Sequence, residues 1–294
     1  MTLAEFTERA LAVAVDGRVR AFAQMLAGRT GADAVLFYGS NLRSGDLDGV
    51  LDFYVLTPGP AERGIWPTVS YREATIDGLK LRAKVATMHL ATFSKAAADG
   101  SFDTTVWARF AQPSALLWTR DDAAARDVVA AVAAAAVTAA RYAAILGPIR
   151  GAAGDYWSAL FAATYAAELR VDRSGRHGQI VTRDQAYYDA LLPLAWTAGG
   201  ISFDHTQGRL KPAFALAERR RLRRRWAVRR LAGKPINIAR LIRATRTFDG
   251  AARYGVWKIE RHTGVRLPLT PWRERHPVLA APAALYQVWR QAPR

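Results

Sequence analysis

An apolar run at 34–38 ends in Gly39-Ser40, and twelve residues after the serine Asp52 sits between Leu51 and Phe53, near the start of a second apolar run. A turn that leads from a strand straight into a helix aims backbone N–H groups at whatever occupies it. Gly39 allows close approach and Ser40 adds a hydroxyl donor, a combination suited to phosphate. The carboxylate of Asp52 is expected to emerge beside that turn on the adjacent strand, as a metal ligand next to a phosphate cradle. Mg2+ takes a few protein oxygens together with substrate phosphates and offsets charge on a leaving pyrophosphate. The chemistry implied is nucleotidyl transfer; solvated aspartates in a plain strand-loop-strand are the competing reading.

The elements that hold these residues follow from periodicity and breakers. The pattern predicts a helix over 3–28, strands at 34–38 and 50–56 around a short helical stretch, and a break at 57–64. A strand over 78–87 alternates with period two, turning Leu79, Leu81, Ala83 and Val85 inward and Lys80, Arg82 and Lys84 to the other face. Helix-loop-helix over 87–112, a strand in "SALLWT" and an alanine-rich helix over 121–146 opened by Asp121 and Asp122 complete a first domain, 1–148. Two helices, 155–171 and 183–197, around a polar loop make a mainly helical second domain, 149–211. The rest, 212–294, reads as an arginine-rich helix, a break at Gly233-Lys234-Pro235, a second basic helix and a Pro-rich end.

Composition narrows the classes. With no cysteine there are no disulfides or thiolate metal sites, and the five histidines lack ligand spacing. The charge-free run 128–140 is short for a membrane span, and Glu5 and Glu8 precede the apolar part of the N-terminal stretch, unlike a secretory or transit signal. The expectation is a chain that stays where it is made; 36 arginines against 6 lysines, with abundant alanine, suggest a bacterial cytoplasm. The net charge of +17 is uneven: residues 1–208 hold 20 basic and 21 acidic side chains, residues 209–294 hold 22 and 4. A neutral body with a cationic tail points to a polyanionic partner, nucleic acid or an anionic membrane.

Apolar strand, Gly-Ser, spacer and flanked aspartate resemble the signature of the DNA polymerase beta-type nucleotidyltransferase superfamily. The order "FYGS", "LDFYVL", "LKLRAKVAT", "TYAAELRVDRSGRHGQIV" and "LIRATRTFDGAARYGVWKIER" resembles, over roughly 30–262, the mitochondrial-type phosphatidate cytidylyltransferases, the translocator-maintenance family. The resemblance implies a nucleotidyltransferase domain, a winged-helix-like domain and a basic C-terminal region. It also implies transfer of CMP from CTP to phosphatidate with Mg2+ and release of pyrophosphate. It assigns Tyr38, Gly39 and Ser40 to the nucleotide and Asp52 to the metal. A family Ser-Tyr-x-Gly-Asp-x-Arg helix is matched by Thr164, Tyr165, Glu168 and Arg170, with Ala167 for Gly and Glu168 for Asp; Tyr165 and Arg170 are thereby candidate nucleotide contacts. The family's Asn-Ile-Val is matched by Gln179, Ile180 and Val181. The superfamily's second carboxylate, two residues after the first, is Tyr54 here. Asp48, or Asp46 as the weaker choice, then serves as second ligand, or one carboxylate with the triphosphate suffices.

Superfamily members that activate a hydroxyl commonly carry a further carboxylate on a neighbouring strand, whereas 79–86 offers Lys80, Arg82 and Lys84. A phosphomonoester, with a second pKa of about 6, attacks without a general base and needs cations instead. These three residues are therefore the candidates for binding a lipid phosphate, with Lys84 closest to catalysis; a merely solvated basic face is the competing reading. In the tail, apolar residues from Ile238 to Ile259 at three- and four-residue spacing alternate with basic ones. This predicts a basic amphipathic helix on an anionic bilayer, through Arg240, Arg243, Phe248, Arg253 and Ile259, at the inner face of the cytoplasmic membrane. Trp272, Tyr286 and Trp289 are of types favoured at that boundary. Packing of the same stripe on the body is the alternative. Other functions kept open are nucleotidyl transfer to RNA, with eight arginines within 219–230 on its backbone, and an inactive lipid- or nucleic-acid-binding module.

Overall fold

The structure, a computed structural model, describes residues 1–167, 176–265 and 267–275 together with positions 280, 287 and 290. The N-terminal segment forms two helices, α1 Leu3–Leu11 and α2 Gly17–Thr30, where the sequence suggested one over 3–28. Asp16 explains the division, since its side chain accepts the N–H of Arg18 and starts α2 afresh.

Five strands follow: β1 Ala34–Tyr38, β2 Val50–Thr57, β3 Thr68–Ile76, β4 Leu79–His89 and β5 Ser114–Thr119. The five-residue helix α3 Ser40–Ser44 joins β1 to β2. They form one mixed sheet in the order β3-β4-β2-β1-β5, with β2 and β4 parallel and the other neighbours antiparallel. Alternation gives the sheet two apolar faces. Val35, Phe37, Leu51, Phe53, Val55, Leu81, Ala83 and Val85 pack on Val19, Phe22 and Leu26 of α2. Leu36, Tyr54, Leu56, Ala86 and Met88 pack under α4 Leu90–Ala97, α5 Thr105–Phe110 and α6 Asp122–Leu146. Strand β3 is an addition to the expected set. Its hairpin to β4 turns at Asp77-Gly78, both at positive φ, a sequence signal typical of two-residue hairpins.

Helix α6 is capped by Asp121, whose Oδ1 accepts the N–H of Ala124 at 2.8 Å. Contrary to the expectation from its charge-free run, α6 is long and apolar enough to cross a membrane, although most of it is buried within the protein. Beyond it lie α7 Ala153–Ala167, α8 Arg176–Arg183 and α9 Gln185–Ala198, then a two-stranded hairpin of β6 Ser202–Thr206 and β7 Arg209–Ala213. Helix α8 and this hairpin are further additions. One apolar cluster runs from Tyr54 and Trp107 through Trp157 and Trp196 to Leu210, Leu222 and Trp226, so the boundary expected at 148 does not interrupt the core.

The cationic tail comprises α10 Leu216–Thr247, α11 Ala251–Thr263 and α12 Pro271–Arg275. The break expected at 233–235 is absent: α10 runs through Pro235. Gly233 instead permits close packing, because a Cβ there would lie 2.5 Å from the Ala167 carbonyl oxygen of α7. The single amphipathic helix expected over 238–259 is in fact the end of α10 and all of α11, separated at Gly250, whose φ is 82°.

Candidate active site

Strand alternation and register build the site. Asp52 on β2 is flanked by Tyr38 on β1 and Lys84 on β4. Gly39 follows Tyr38 with φ 94°, and a Cβ on it would meet the Asp52 Oδ2 at 2.9 Å. The carboxylate therefore lies against the backbone of the Gly-Ser turn, in a gap that only glycine leaves open. Gly39→Ala is expected to cost about 1–3 kcal/mol of stability, read as a lowered midpoint of thermal or urea unfolding. An unchanged midpoint would mean that the turn can move away from Asp52.

Burial pushes the Asp52 carboxyl above the usual carboxylate range, while Lys84 and Arg109 pull it back. Arg109, on α5, was not foreseen in the sequence. Its Nη1 donates to the Tyr54 hydroxyl at 2.9 Å, and its guanidinium stands 5.0 Å from the Tyr38 ring centre and 5.6 Å from that of Tyr54. Where a second carboxylate was sought, the chain thus places a tyrosine and a cation. Nothing local marks this arginine, because its partners on β2 and β1 lie 55 and 71 residues earlier.

The three basic residues of β4 divide. Lys84 is exposed beside Asp52. Lys80 pairs with Glu73 of β3 at 3.0 Å, and the Arg82 Nε lies 3.8 Å from the same carboxylate. Glu73 also accepts the Tyr71 hydroxyl at 3.0 Å. Strand β4 itself carries no acid, and the acid on β3 beyond it is committed to these contacts. Burial opposes ionisation of Glu73, but the hydrogen bonds from Lys80 and Tyr71 hold it below its ordinary value.

Asp46 and Asp48 are exposed on the loop after α3. The Asp46 Oδ1 accepts the Asp48 N–H at 2.8 Å, a local turn contact. Among the described residues, no group of three or more His, Cys, Asp or Glu gathers as a metal cluster. The donor set is one half-buried carboxylate next to a turn open to phosphate, which fits Mg2+ held jointly by protein and nucleotide. Tyr165 is half-buried on α7; Glu168 and Arg170 lie outside the described residues, as do Tyr286, Trp289 and the side chain of Gln179.

The residues expected at a membrane make contacts within the protein. Arg240 forms a two-pronged pair with Asp103, at 3.0 and 2.6 Å, and its Nε donates to the Trp66 carbonyl. Arg243 donates to Thr68 at 3.3 Å, Phe248 meets Tyr254 in a tilted ring contact, Arg253 pairs with Glu274 at 2.6 Å, and Ile259 is half-buried. The part of the stripe from Phe248 to Ile259 faces the body because β3 recruits it, whereas Ile238 and Ile242 stay exposed: the Tyr71 N–H donates to the Asp249 carbonyl at 2.8 Å, and Arg72 pairs with the Asp249 side chain at 2.6 Å. Helix α11 thereby crosses in front of the Gly-Ser turn. A cavity of about 510 Å3 opens between them, lined by Ser40, Asn41, Ser44 and Gly49 on one side and Tyr254, Trp257, Lys258 and Arg261 on the other. No family model matches the chain, and no curated protein does.

Proposed function

We propose that the protein is a Mg2+-dependent nucleotidyltransferase acting on a phosphorylated acceptor at a membrane surface. CTP as donor and phosphatidate as acceptor are taken from the family resemblance. The sheet would then be the nucleotidyltransferase domain, and α7 to α9 with the β6–β7 hairpin the winged-helix-like unit. The observation that carries the reading is the seating of Asp52 against Gly39, which unites a carboxylate with a phosphate-accepting turn.

In this reading the backbone of the turn and the Ser40 hydroxyl hold the phosphates of the nucleotide. Asp52 is the residue that would hold Mg2+, which when bound supplies neutralisation of the charge on the leaving pyrophosphate. Lys84, next to Asp52, draws in the acceptor phosphate and offsets its repulsion from the nucleotide. Arg109 keeps a fixed positive charge behind Asp52, favouring its ionised form. An acceptor phosphate oxygen attacks the α-phosphorus, forming a new P–O bond as the bond to the β-phosphate oxygen breaks, and pyrophosphate leaves with that electron pair. An ionised phosphomonoester gives up no proton in this step, so no general base is required. Transfer of label from the α-phosphate of CTP into phosphatidate-derived lipid tests the reading; label that stays wholly water-soluble contradicts it.

Attachment to the membrane is better supported on α10 than on the residues first expected. Leu222, Trp226 and Arg229 face the core, whereas Val228, Leu231, Ile238 and Ile242 are exposed, Leu231 by 74%. Pro235 is exposed as well. At about 100° per residue these five share one stripe opposite the buried side. Exposed Arg220, Arg221 and Arg224 continue the stripe toward the helix start. An apolar ridge in line with arginines suits an anionic bilayer interface. Leu231→Ser with Ile238→Ser is expected to leave folding intact and to abolish liposome sedimentation that survives high salt, since apolar burial is not screened. Retained salt-resistant sedimentation would remove this stripe from the interface, and tight RNA binding without liposome binding would favour an RNA acceptor.

A further inference from the structure

We infer that α11 is the second wall of the nucleotide pocket, with Lys258 and Arg261 binding the β- and γ-phosphates of a nucleoside triphosphate opposite the Gly39-Ser40 turn. The inference rests on the nucleotidyl-transfer reading and adds residues to its site. The cavity between α11 and the turn, about 510 Å3, is of a size that binds small molecules. Its turn side offers the hydroxyl of Ser40, with the Asn41 amide beside it holding the Asp46 carbonyl at 2.8 Å; its α11 side offers two cations. Asp46 is the acid on its rim, and one of its oxygens is taken by the Asp48 N–H.

The cations are aimed by aromatic neighbours. Arg261 lies 5.3 Å from the Trp257 ring centre, and its Nη1 donates to the Asp48 carbonyl at 2.8 Å. Lys258 Nζ lies 6.0 Å from the Tyr254 ring. Arg82 stands 5.8 Å from Trp257 on its way to Glu73. Trp257 thus gathers guanidiniums from β4 and α11 at one edge of the pocket, which suits it to positioning cations. Helix α11 is also fixed in register. Tyr71 receives it through the Asp249 carbonyl, and Gly250, at φ 82°, makes the close turn in which a Cβ would sit 2.7 Å from the Tyr71 oxygen.

Calorimetric titration of the full-length protein with Mg2+ and either CTP or CMP tests the assignment. Lys258→Gln with Arg261→Gln should weaken CTP binding by about tenfold or more, through loss of two charge-assisted contacts, and leave CMP binding within about twofold. Lys258→Arg should retain CTP affinity. Should the double variant unfold, Lys258→Gln alone, at an exposed position, should still lower the CTP-to-CMP preference by about threefold or more. Unchanged CTP affinity in the α11 variants, with Ser40→Ala weakening it, would overturn the α11 assignment and leave the transferase reading standing. A wild-type protein that binds no nucleoside triphosphate would overturn the transferase reading itself.

Discussion

Asp52→Asn should lower nucleotidyl transfer by about 10³-fold, equivalent to roughly 4 kcal/mol of transition-state stabilisation, and at the same time make the metal-free protein more stable near neutral pH. The first effect follows from loss of the one carboxylate at the turn. The second follows from linkage. Burial raises the Asp52 carboxyl in the folded protein, so the folded state binds its proton more tightly than the unfolded chain does. The stability this contributes is fully present below the unfolded value and is lost as pH rises through the raised folded value. At neutral pH a charged, half-buried Asp52 is therefore a net burden that asparagine removes. Urea unfolding in chelator at pH 7 and at pH 4 checks this: the mutant's advantage should be present at pH 7 and smaller at pH 4. Equal activity of mutant and wild type would remove Asp52 from the chemistry, and a destabilised mutant would mean its charge is satisfied by the fold.

Arg240→Ala should be the most destabilising single change in the tail, by about 3–5 kcal/mol, because it leaves Asp103 buried without its cation. Burial alone would raise the Asp103 carboxyl, yet the hydrogen bonds and charge of Arg240 and the contacts from Thr105 hold it below the ordinary value. Its contribution is present above the unfolded value and lost as pH falls through the folded one, so wild type should lose more stability than the mutant below about pH 4. Asp103→Asn combined with Arg240→Met should recover much of the loss. A midpoint of urea unfolding within about 0.5 kcal/mol of wild type for Arg240→Ala would show that α10 does not depend on this pair.

The juxtaposition at the candidate site was legible because it is local: a turn, a short helix and an alternating strand fix Gly39, Ser40 and Asp52 within fourteen residues. Strand β3 was harder to read. As an edge strand it exposes Ser70, Arg72 and Thr75 in part, so its apolar alternation is diluted, and only Asp77-Gly78 marked the hairpin. The β6–β7 hairpin, mostly exposed, hides for the same reason. Pro235 was misleading because tertiary packing on both sides of it, through Gly233 and Arg240, holds α10 across the lost backbone donor. An apolar stripe between Ile238 and Ile259 announces burial without naming what buries it. Only the Tyr71 N–H on the Asp249 carbonyl shows that protein covers its α11 part, whereas Ile238 and Ile242 at its α10 end stay exposed.

Pyrophosphate release by the purified protein with Mg2+, measured for each of the four ribonucleoside triphosphates with and without phosphatidate vesicles, tests the account most directly. The account predicts release with CTP that requires the vesicles, is matched mole for mole by labelled lipid and disappears in Asp52→Asn. Absence of pyrophosphate with every triphosphate, from protein that remains folded and binds the vesicles, would contradict it.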